Sequence, residues 1–284
     1  ELIGGKVHDK LRSYTYLYPK DMDGVLNYDD PELGAESAIN AMEQGFTAIK
    51  FDPAGPYSSY SGHQVSLKRL AHCENYCQKV RDAVGDNCDI LIGTHGQLSP
   101  SSALRLAKRL EQFDPLWFEE PVPPGQSAAM AEVANNTKIP VATGERLTTK
   151  YEFYDVLKNN AASIIQMNLG RVGGILEAKK IASLAEVFYA HIAPHIYNGP
   201  VGAAASIQLC AATPNFLIME SIGTWDGFHS EVLKEPIHWI NGNVIPSDKP
   251  GLGIDLNFDV VESNSPYKGK KLHLSMNQKP YYVD

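Results

Sequence analysis

The chain has 284 residues, 43% of them hydrophobic and 20% charged, with a formal net charge of −8. Those proportions describe an ordinary folded domain. The acidic balance, with no basic cluster, excludes nucleic acid as the expected partner, because phosphate binding needs grouped Lys and Arg. No apolar run approaches the roughly 20 residues that span a bilayer, so no membrane partner is expected either.

The opening Glu-Leu-Ile-Gly-Gly-Lys is neither a signal peptide nor an initiator methionine, so the chain is expected to begin inside a longer natural sequence. Among the four cysteines, Cys73 and Cys77 lie one helical turn apart beside His72, but Cys88 and Cys210 complete no second half of a metal site. They read as buried thiols of a protein in a reducing cytoplasm. The length would admit two domains, yet a barrel of strand–helix units takes about 250 residues alone.

In chain order, residues 12–18 alternate and are rich in tyrosine, which predicts a first strand. Residues 34–45 carry Ala35, Ala38, Ile39 and Met42 at helical spacing and stop at Gly45. Residues 47–53 form the second predicted strand, whose period of two puts Lys50 and Asp52 on one face. The Gly/Ser/Tyr/Pro-rich residues 54–64 read as a long loop of the kind that is functional or mobile at a barrel mouth. A helix over 66–84 precedes a strand over 89–97, on which Gly93, His95 and Gln97 share a face; a helix over 99–113 follows.

Residues 115–121 (Pro-Leu-Trp-Phe-Glu-Glu-Pro) and 140–146 (Pro-Val-Ala-Thr-Gly-Glu-Arg) are short apolar runs that end in carboxylate, with a helix over 127–137 between them. A helix over 148–157 leads to a strand over 163–169, with Gln166 and Asn168 on one face. After a helix over 173–188, the strand over 189–195 puts His191 and His195 on one face. An alanine-rich helix over 199–212 and a strand over 216–221, with Glu220 at its end, complete the pattern.

Eight strands separated by seven helical segments predict an α/β fold, a TIM-like (β/α)7β barrel over residues 1–221. Residues 222–284 are expected to form an irregular C-terminal tail leaving the barrel and packing on it, anchored by Trp225 and Trp239. A doubly wound open sheet is the rival; the even spacing and the lack of a Gly-rich dinucleotide fingerprint count against it.

In such a barrel, catalytic groups sit where the strands end. The residues at those ends are Lys50, His95, Glu119, Glu145, Asn168, His195 and Glu220. Two carboxylates on successive strand ends call for a cation, and oxygen ligands suit Mg²⁺; salt bridges at the rim are the plain alternative. A metal beside a lysine and histidines suits removal of a proton next to a carboxylate, with Lys50 or His195 moving the proton. Singly, Lys50 could be a surface charge, His95 a structural hydrogen-bonder and His195 a helix cap. Their joint placement on different strands favours a site.

With these residues the chain resembles the barrel domain of the enolase superfamily, in its mandelate racemase subgroup, and especially the acid-sugar dehydratases such as galactonate dehydratase. The likeness spans residues 1–256 and rests on Phe-Glu-Glu-Pro, Thr-Gly-Glu-Arg and Ala-Pro-His, with Leu-Ile-Gly-Gly-Lys at the start and Pro-Gly-Leu-Gly-Ile-Asp near the end. The resemblance implies Glu119 and Glu145 as ligands of one Mg²⁺, His195 as an acid/base and His95 as a general acid. It implies Asn168 and Glu220 beside the substrate, a small sugar acid of carbohydrate catabolism, and a homo-oligomeric protein. It also implies an N-terminal α+β capping domain outside this chain. Lysine or histidine bases with Mg²⁺ at an enediolate are the superfamily's general pattern.

Three positions depart from that pattern. Gly93 stands where the family has its first metal carboxylate, two residues before His95. Asn168 replaces the aspartate behind the seventh-strand histidine, and Asp52 replaces the second lysine of Lys-x-Lys. An amide orients an imidazole without stabilising its charged form, which favours His195 as an acid over a strong base. The Gly-Thr-His-Gly-Gln stretch, with Lys50 and His195, is also similar to cycloisomerases that open 3,6-anhydro-galactonate. The expected reaction takes a sugar acid, or its anhydro form, to a 2-keto-3-deoxy product. Lys50 would remove the α-proton, His195 deliver a proton from the other side and His95 assist the leaving oxygen. A racemase or epimerase of a hydroxy acid, and a non-catalytic homologue on an old barrel, are the alternatives.

Overall fold

A computed structural model describes residues 2–55, 60, 62 and 64–265. Most of the loop expected over 54–64, and the tail beyond 265, lie outside the described residues.

The strands are β1 (Leu11–Tyr16), β2 (Ala48–Phe51), β3 (Asp89–Gly93), β4 (Trp117–Glu119), β5 (Val141–Thr143), β6 (Ile164–Ile165), β7 (His191–Ile192) and β8 (Met219–Ser221). The helices between them are α1 (Pro31–Glu43), α2 (Leu67–Val84), α3 (Pro100–Leu110), α4 (Ser127–Ala134), α5 (Lys150–Lys158), α6 (Leu169–Val172), α7 (Ile175–Val187) and α8 (Gly199–Ala211). Neighbouring strands from β1 to β7 pair in parallel, β8 pairs with β1, and a bridge from Ile192 to Phe216 joins the last gap. The sheet is a closed (β/α)7β barrel.

The helix starts follow local chemistry. Asp30 accepts the N–H groups of Glu32 and Leu33 ahead of Pro31, and Ser66 and Ser99 cap α2 and α3 in the same way. Thr149 and Glu152 form a reciprocal capping box on α5. Among the helices between the described strands, α6 is unexpected, a single turn that Asn168 starts by accepting the N–H of Gly170.

Observed strands stop short of the predicted ones, and the reason is visible on β3. Its ladder ends at Gly93; Thr94 then turns its hydroxyl onto the carbonyls of Glu119 and Glu120, and His95 adopts φ 48°. The chain leaves the ladder where its functional side chains begin.

Inside the barrel one residue from each strand unit forms a buried layer: Tyr14, Ala48, Leu91, Trp117, Ala142, Ile164, Ala193 and Ile218. Tyr14 meets Trp117 edge-on with ring centroids 5.2 Å apart. The small residues Ala48, Ala142 and Ala193 in the same layer leave room for those two rings. The larger apolar layer lies between strands and helices and includes all of Ile49, Ile90, Ile92, Phe118 and Ile165.

Residues 222–265 fold back onto the barrel. Two short strands, β9 (Trp239–Ile240) and β10 (Asn243–Val244), form a hairpin, and β10 pairs antiparallel with the start of β1, Leu11 opposite Val244. Trp225 is buried beside Leu11, Ile207 and Met219, and Trp239 packs on Phe46 while its Nε1 donates to Ser13 Oγ at 3.0 Å.

Candidate active site

Side chains alternate along a strand, so the barrel's buried layer fixes what stands above it. Two residues on from each buried member come Tyr16, Lys50, Gly93, Glu119, Gly144, Gln166, His195 and Glu220. Every one faces the C-terminal mouth, where catalytic groups of such barrels gather. A cleft of about 410 Å³ opens there, lined by Lys50, Asp52, His95, Glu145, Arg171, His195 and Glu220 and walled by Tyr16, Tyr18, Tyr28 and Tyr197.

Lys50 Nζ lies 2.5 Å from Glu119 Oε1, and both side chains are buried. The other oxygen, Oε2, accepts from Gln166 Nε2 at 2.8 Å. Burial by itself disfavours the charge of Lys50, but the carboxylates of Glu119, Glu220 and Glu145 outweigh it and raise its pKa above the ordinary value. Burial likewise pushes Glu119 up, and the Lys50 ammonium with the Gln166 bond brings it below its ordinary value. The pair is therefore ammonium and carboxylate.

His95 Nδ1 is 3.2 Å from Asp52 Oδ2, which also accepts from Gln97 Nε2 at 2.9 Å; Asp52 Oδ1 accepts the N–H of Ala54 at 2.9 Å. Burial pushes the Asp52 carboxyl above its ordinary value, against the His95 and Ala54 hydrogen bonds that favour the ionised form; ionised, it only accepts, so Nδ1 of His95 carries the proton and Nε2 is the acceptor nitrogen of the neutral ring. Burial lowers the pKa of His95, but the hydrogen bond and charge of Asp52 more than offset it, and the net shift is upward.

His195 is held the opposite way. Asn168 Oδ1 accepts the N–H of Gly170 at 2.9 Å, which orients the amide so that Nδ2 faces His195 Nδ1, also at 2.9 Å. The amide nitrogen only donates, so Nδ1 of His195 accepts and its proton sits on Nε2. That nitrogen is 3.6 Å from Glu145 Oε2. Glu220 Oε2 accepts the N–H of Ile196 at 2.6 Å and so fixes the backbone next to His195. Burial raises Glu220 above the ordinary carboxylate value, against the pull of His195 and Lys50.

All seven residues expected from the strand ends thus meet at one mouth. Asp52, Gln166, Arg171 and the tyrosine wall complete it. Asp52 shares a strand face with Lys50 and Gln166 shares one with Asn168, a signal already present in the period-two pattern. Arg171 sits on α6 and donates to the carbonyl of Glu145 at 2.9 Å. The second glutamate of Phe-Glu-Glu-Pro, Glu120, pairs with Arg146 (Nη2 to Oε2, 2.6 Å). Burial and the nearby charge of Glu145 raise it to about 7 despite that partner.

The ligand set expected for Mg²⁺ does not fit these side chains. Both oxygens of Glu119 are engaged, by Lys50 and Gln166, and Gly93 offers no oxygen beside them. Among the described residues no group of three or more His, Cys, Asp and Glu is placed to hold a metal ion. Nor is any described helix long and apolar enough to cross a membrane.

Residues 34–260 match the model of the enolase C-terminal domain-like family. The D-xylonate dehydratase of Haloferax volcanii is 34% identical over 93% of the chain and 64% of its own length. The D-gluconate dehydratase of Thermoproteus tenax is 31% identical over 100% of the chain and 54% of its own length. The chain thus spans between about half and two thirds of these relatives. A solved structure from Burkholderia SAR-1, a candidate mandelate racemase/muconate lactonizing enzyme, superposes with a TM-score of 0.92 at 65% identity, covering 100% of this chain and 70% of that one. A mandelate racemase/muconate lactonizing enzyme from a Sulfitobacter species superposes with a TM-score of 0.89 at 47% identity, over 98% and 70%. With the barrel, the strand-end residues and these likenesses together, the chain belongs to the enolase superfamily, as a C-terminal barrel domain of the mandelate racemase/muconate lactonizing enzyme type.

Proposed function

We propose that the protein removes the α-proton of a sugar acid, or of its anhydro form, and eliminates the β-oxygen to give a 2-keto-3-deoxy acid. The observation that carries this reading is the opposite polarity of two imidazoles over one cleft. His95, with Nδ1–H on Asp52, has Nε2 as its acceptor nitrogen; His195, with Nδ1 accepting from Asn168, has an Nε2–H donor.

The roles expected from the sequence shift accordingly. Lys50, paired with Glu119, is a fixed ammonium, and an ammonium takes no proton. A neutral His195 that gave up its Nε2 proton would become an imidazolate, so it serves as a hydrogen-bond donor to the developing enolate. His95 is left to move the proton, with Asp52 holding the tautomer and stabilising the imidazolium, as a carboxylate does behind a catalytic histidine. The α C–H bond breaks toward His95 Nε2, and its electron pair forms the C=C bond while the β C–O bond breaks. The same imidazolium protonates the departing oxygen. Water leaves from a hydroxy acid; in an anhydro acid the ether oxygen becomes a hydroxyl, and the enol then tautomerises to the keto acid. The Lys50 ammonium has three N–H groups and spends one on Glu119, which leaves donors for the substrate carboxylate. The tyrosine wall suits the C–H faces of a sugar chain. The names of the relatives, dehydratases of xylonate and gluconate, support the substrate class.

The gene product at its natural length, incubated with a panel of sugar acids in D₂O and assayed for 2-keto acids, tests the reading. A keto product lost in His95→Gln supports it. α-Deuterium exchange with inversion and no keto acid would establish a racemase or epimerase instead, and the absence of both across the panel would favour a non-catalytic barrel.

A further inference from the structure

We infer that Lys50 is the resident cation of this site, standing in for a divalent metal ion, and that the barrel works without one. Gly93 pairs directly with Glu119 across the β3–β4 ladder, so a carboxylate at position 93 would stand beside Glu119. A Cβ added to Gly93 would meet Lys50 Cε at 3.1 Å, closer than side chains ordinarily approach. A side chain at position 93 would therefore need the lysine stem to give way by a few tenths of an ångström. Lys50 starts two residues deeper in the register, opposite Leu91, and climbs past the glycine to end on Glu119.

Each oxygen of Glu119 already accepts a hydrogen bond, from Lys50 at 2.5 Å and Gln166 at 2.8 Å, so a metal there would share its ligand with an ammonium of like charge. Glu145, the other expected ligand, faces His195 Nε2 at 3.6 Å. An ammonium is a compact point charge with directional donors, able to hold a carboxylate and an enolate oxygen without open coordination positions. The substrate class rests on the function proposed above; the identity of the cation does not, and its test needs no turnover.

The test is Mn²⁺ binding by protein dialysed against a chelator, read as loss of the free-ion signal in electron paramagnetic resonance. The wild type is expected to leave that signal undiminished, and its melting temperature is expected not to move with Mg²⁺ or Mn²⁺. The double variant Gly93→Asp, Lys50→Ala rebuilds three adjacent carboxylates and is expected to take up one ion. A saturable site in the wild type, lost in Glu145→Gln, would overturn the inference. So would a folded double variant that binds no Mn²⁺, because Lys50 would then not be what keeps the ion out. If circular dichroism shows the double variant unfolded, the wild-type titration decides alone.

Discussion

The side-chain amide of Asn168 donates to Nδ1 of His195 at 2.9 Å, and the N–H of Gly170 on Asn168 Oδ1 prevents the amide from turning over. One substitution should therefore invert the tautomer of His195. In Asn168→Asp, either carboxylate oxygen accepts, so Oδ1 still caps α6 while Oδ2 demands a proton on Nδ1. Nitrogen-15 shifts of the imidazole are expected to show Nε2 protonated in the wild type and Nδ1 protonated in the variant. Since Nε2 becomes an acceptor, α-proton exchange from the second face of the substrate should appear. An unchanged tautomer would remove the basis for calling His195 a donor.

The dyad of Asp52 and His95 gives a pH signature. The pKa of His95 is raised in the fold, so its protonated form stabilises the folded state. That contribution is fully present below the ordinary histidine value of about 6.5 and is lost as pH rises through the raised value. In Asp52→Asn the hydrogen-bonded carboxylate is gone, while burial and the Lys50 charge still lower the pKa with only the Glu119 charge against them, so the titration should move down. Histidine Cε1–H resonances followed from about pH 5 to about pH 8 check the direction, and urea midpoints at the two ends check the linked stability.

The period of two in the strands was enough to find the mouth and most of what lines it, because each buried core residue dictates the position two further on. Lys50 shows where that reading ends. Its place at a strand end was legible, but its charge state depends on Glu119, 69 residues away in sequence, and on the missing side chain at Gly93. Asp52 counted as a departure from a family pattern until its distance to His95 gave it a task. The turn α6 fell in the short gap between the predicted strand over 163–169 and the helix from 173, since Asn168 reads equally as a strand residue and a helix cap. The hairpin in the tail was out of reach for a similar reason: two-residue strands carry almost no periodicity, and β10 pairs with the start of β1, far away in sequence.

That hairpin makes a stability prediction. Gly242 has φ 75°, and a Cβ there would lie 2.5 Å from the carbonyl oxygen of Gly45, backbone that has little room to yield. The left-handed conformation costs a side chain on the order of 1–3 kcal/mol, and relief of the clash adds to it. Gly242→Ala should therefore lower the unfolding free energy, read from urea denaturation, by at least that amount. Gly251→Ala, with similar φ 72° and nothing within 4 Å, isolates the conformational part. Equal losses in the two variants would mean that the close approach to Gly45 carries no energy.

Glu220 separates the acceptor role of a side chain from its charge. Its Oε2 takes the buried N–H of Ile196 at 2.6 Å, which holds the segment carrying His195 against β8. In Glu220→Gln the amide oxygen can still accept that N–H, so stability should change by less than about 1 kcal/mol. In Glu220→Ala the N–H is stranded, at a cost of about 1–3 kcal/mol, and the His195 segment loses its anchor. Chemical denaturation of both variants reads this difference. Charge acts elsewhere: Glu220 is one of the carboxylates that raise the pKa of Lys50. Its removal should strengthen binding of an anionic acid while weakening any contact it makes to a substrate hydroxyl. The two effects part when a sugar acid is compared with the matching deoxy acid by calorimetry. The deoxy acid should bind Glu220→Gln more tightly than wild type, and the hydroxylated acid should gain less. Equal gains for both would show that Glu220 does not touch the substrate and acts only through its charge and its hold on Ile196.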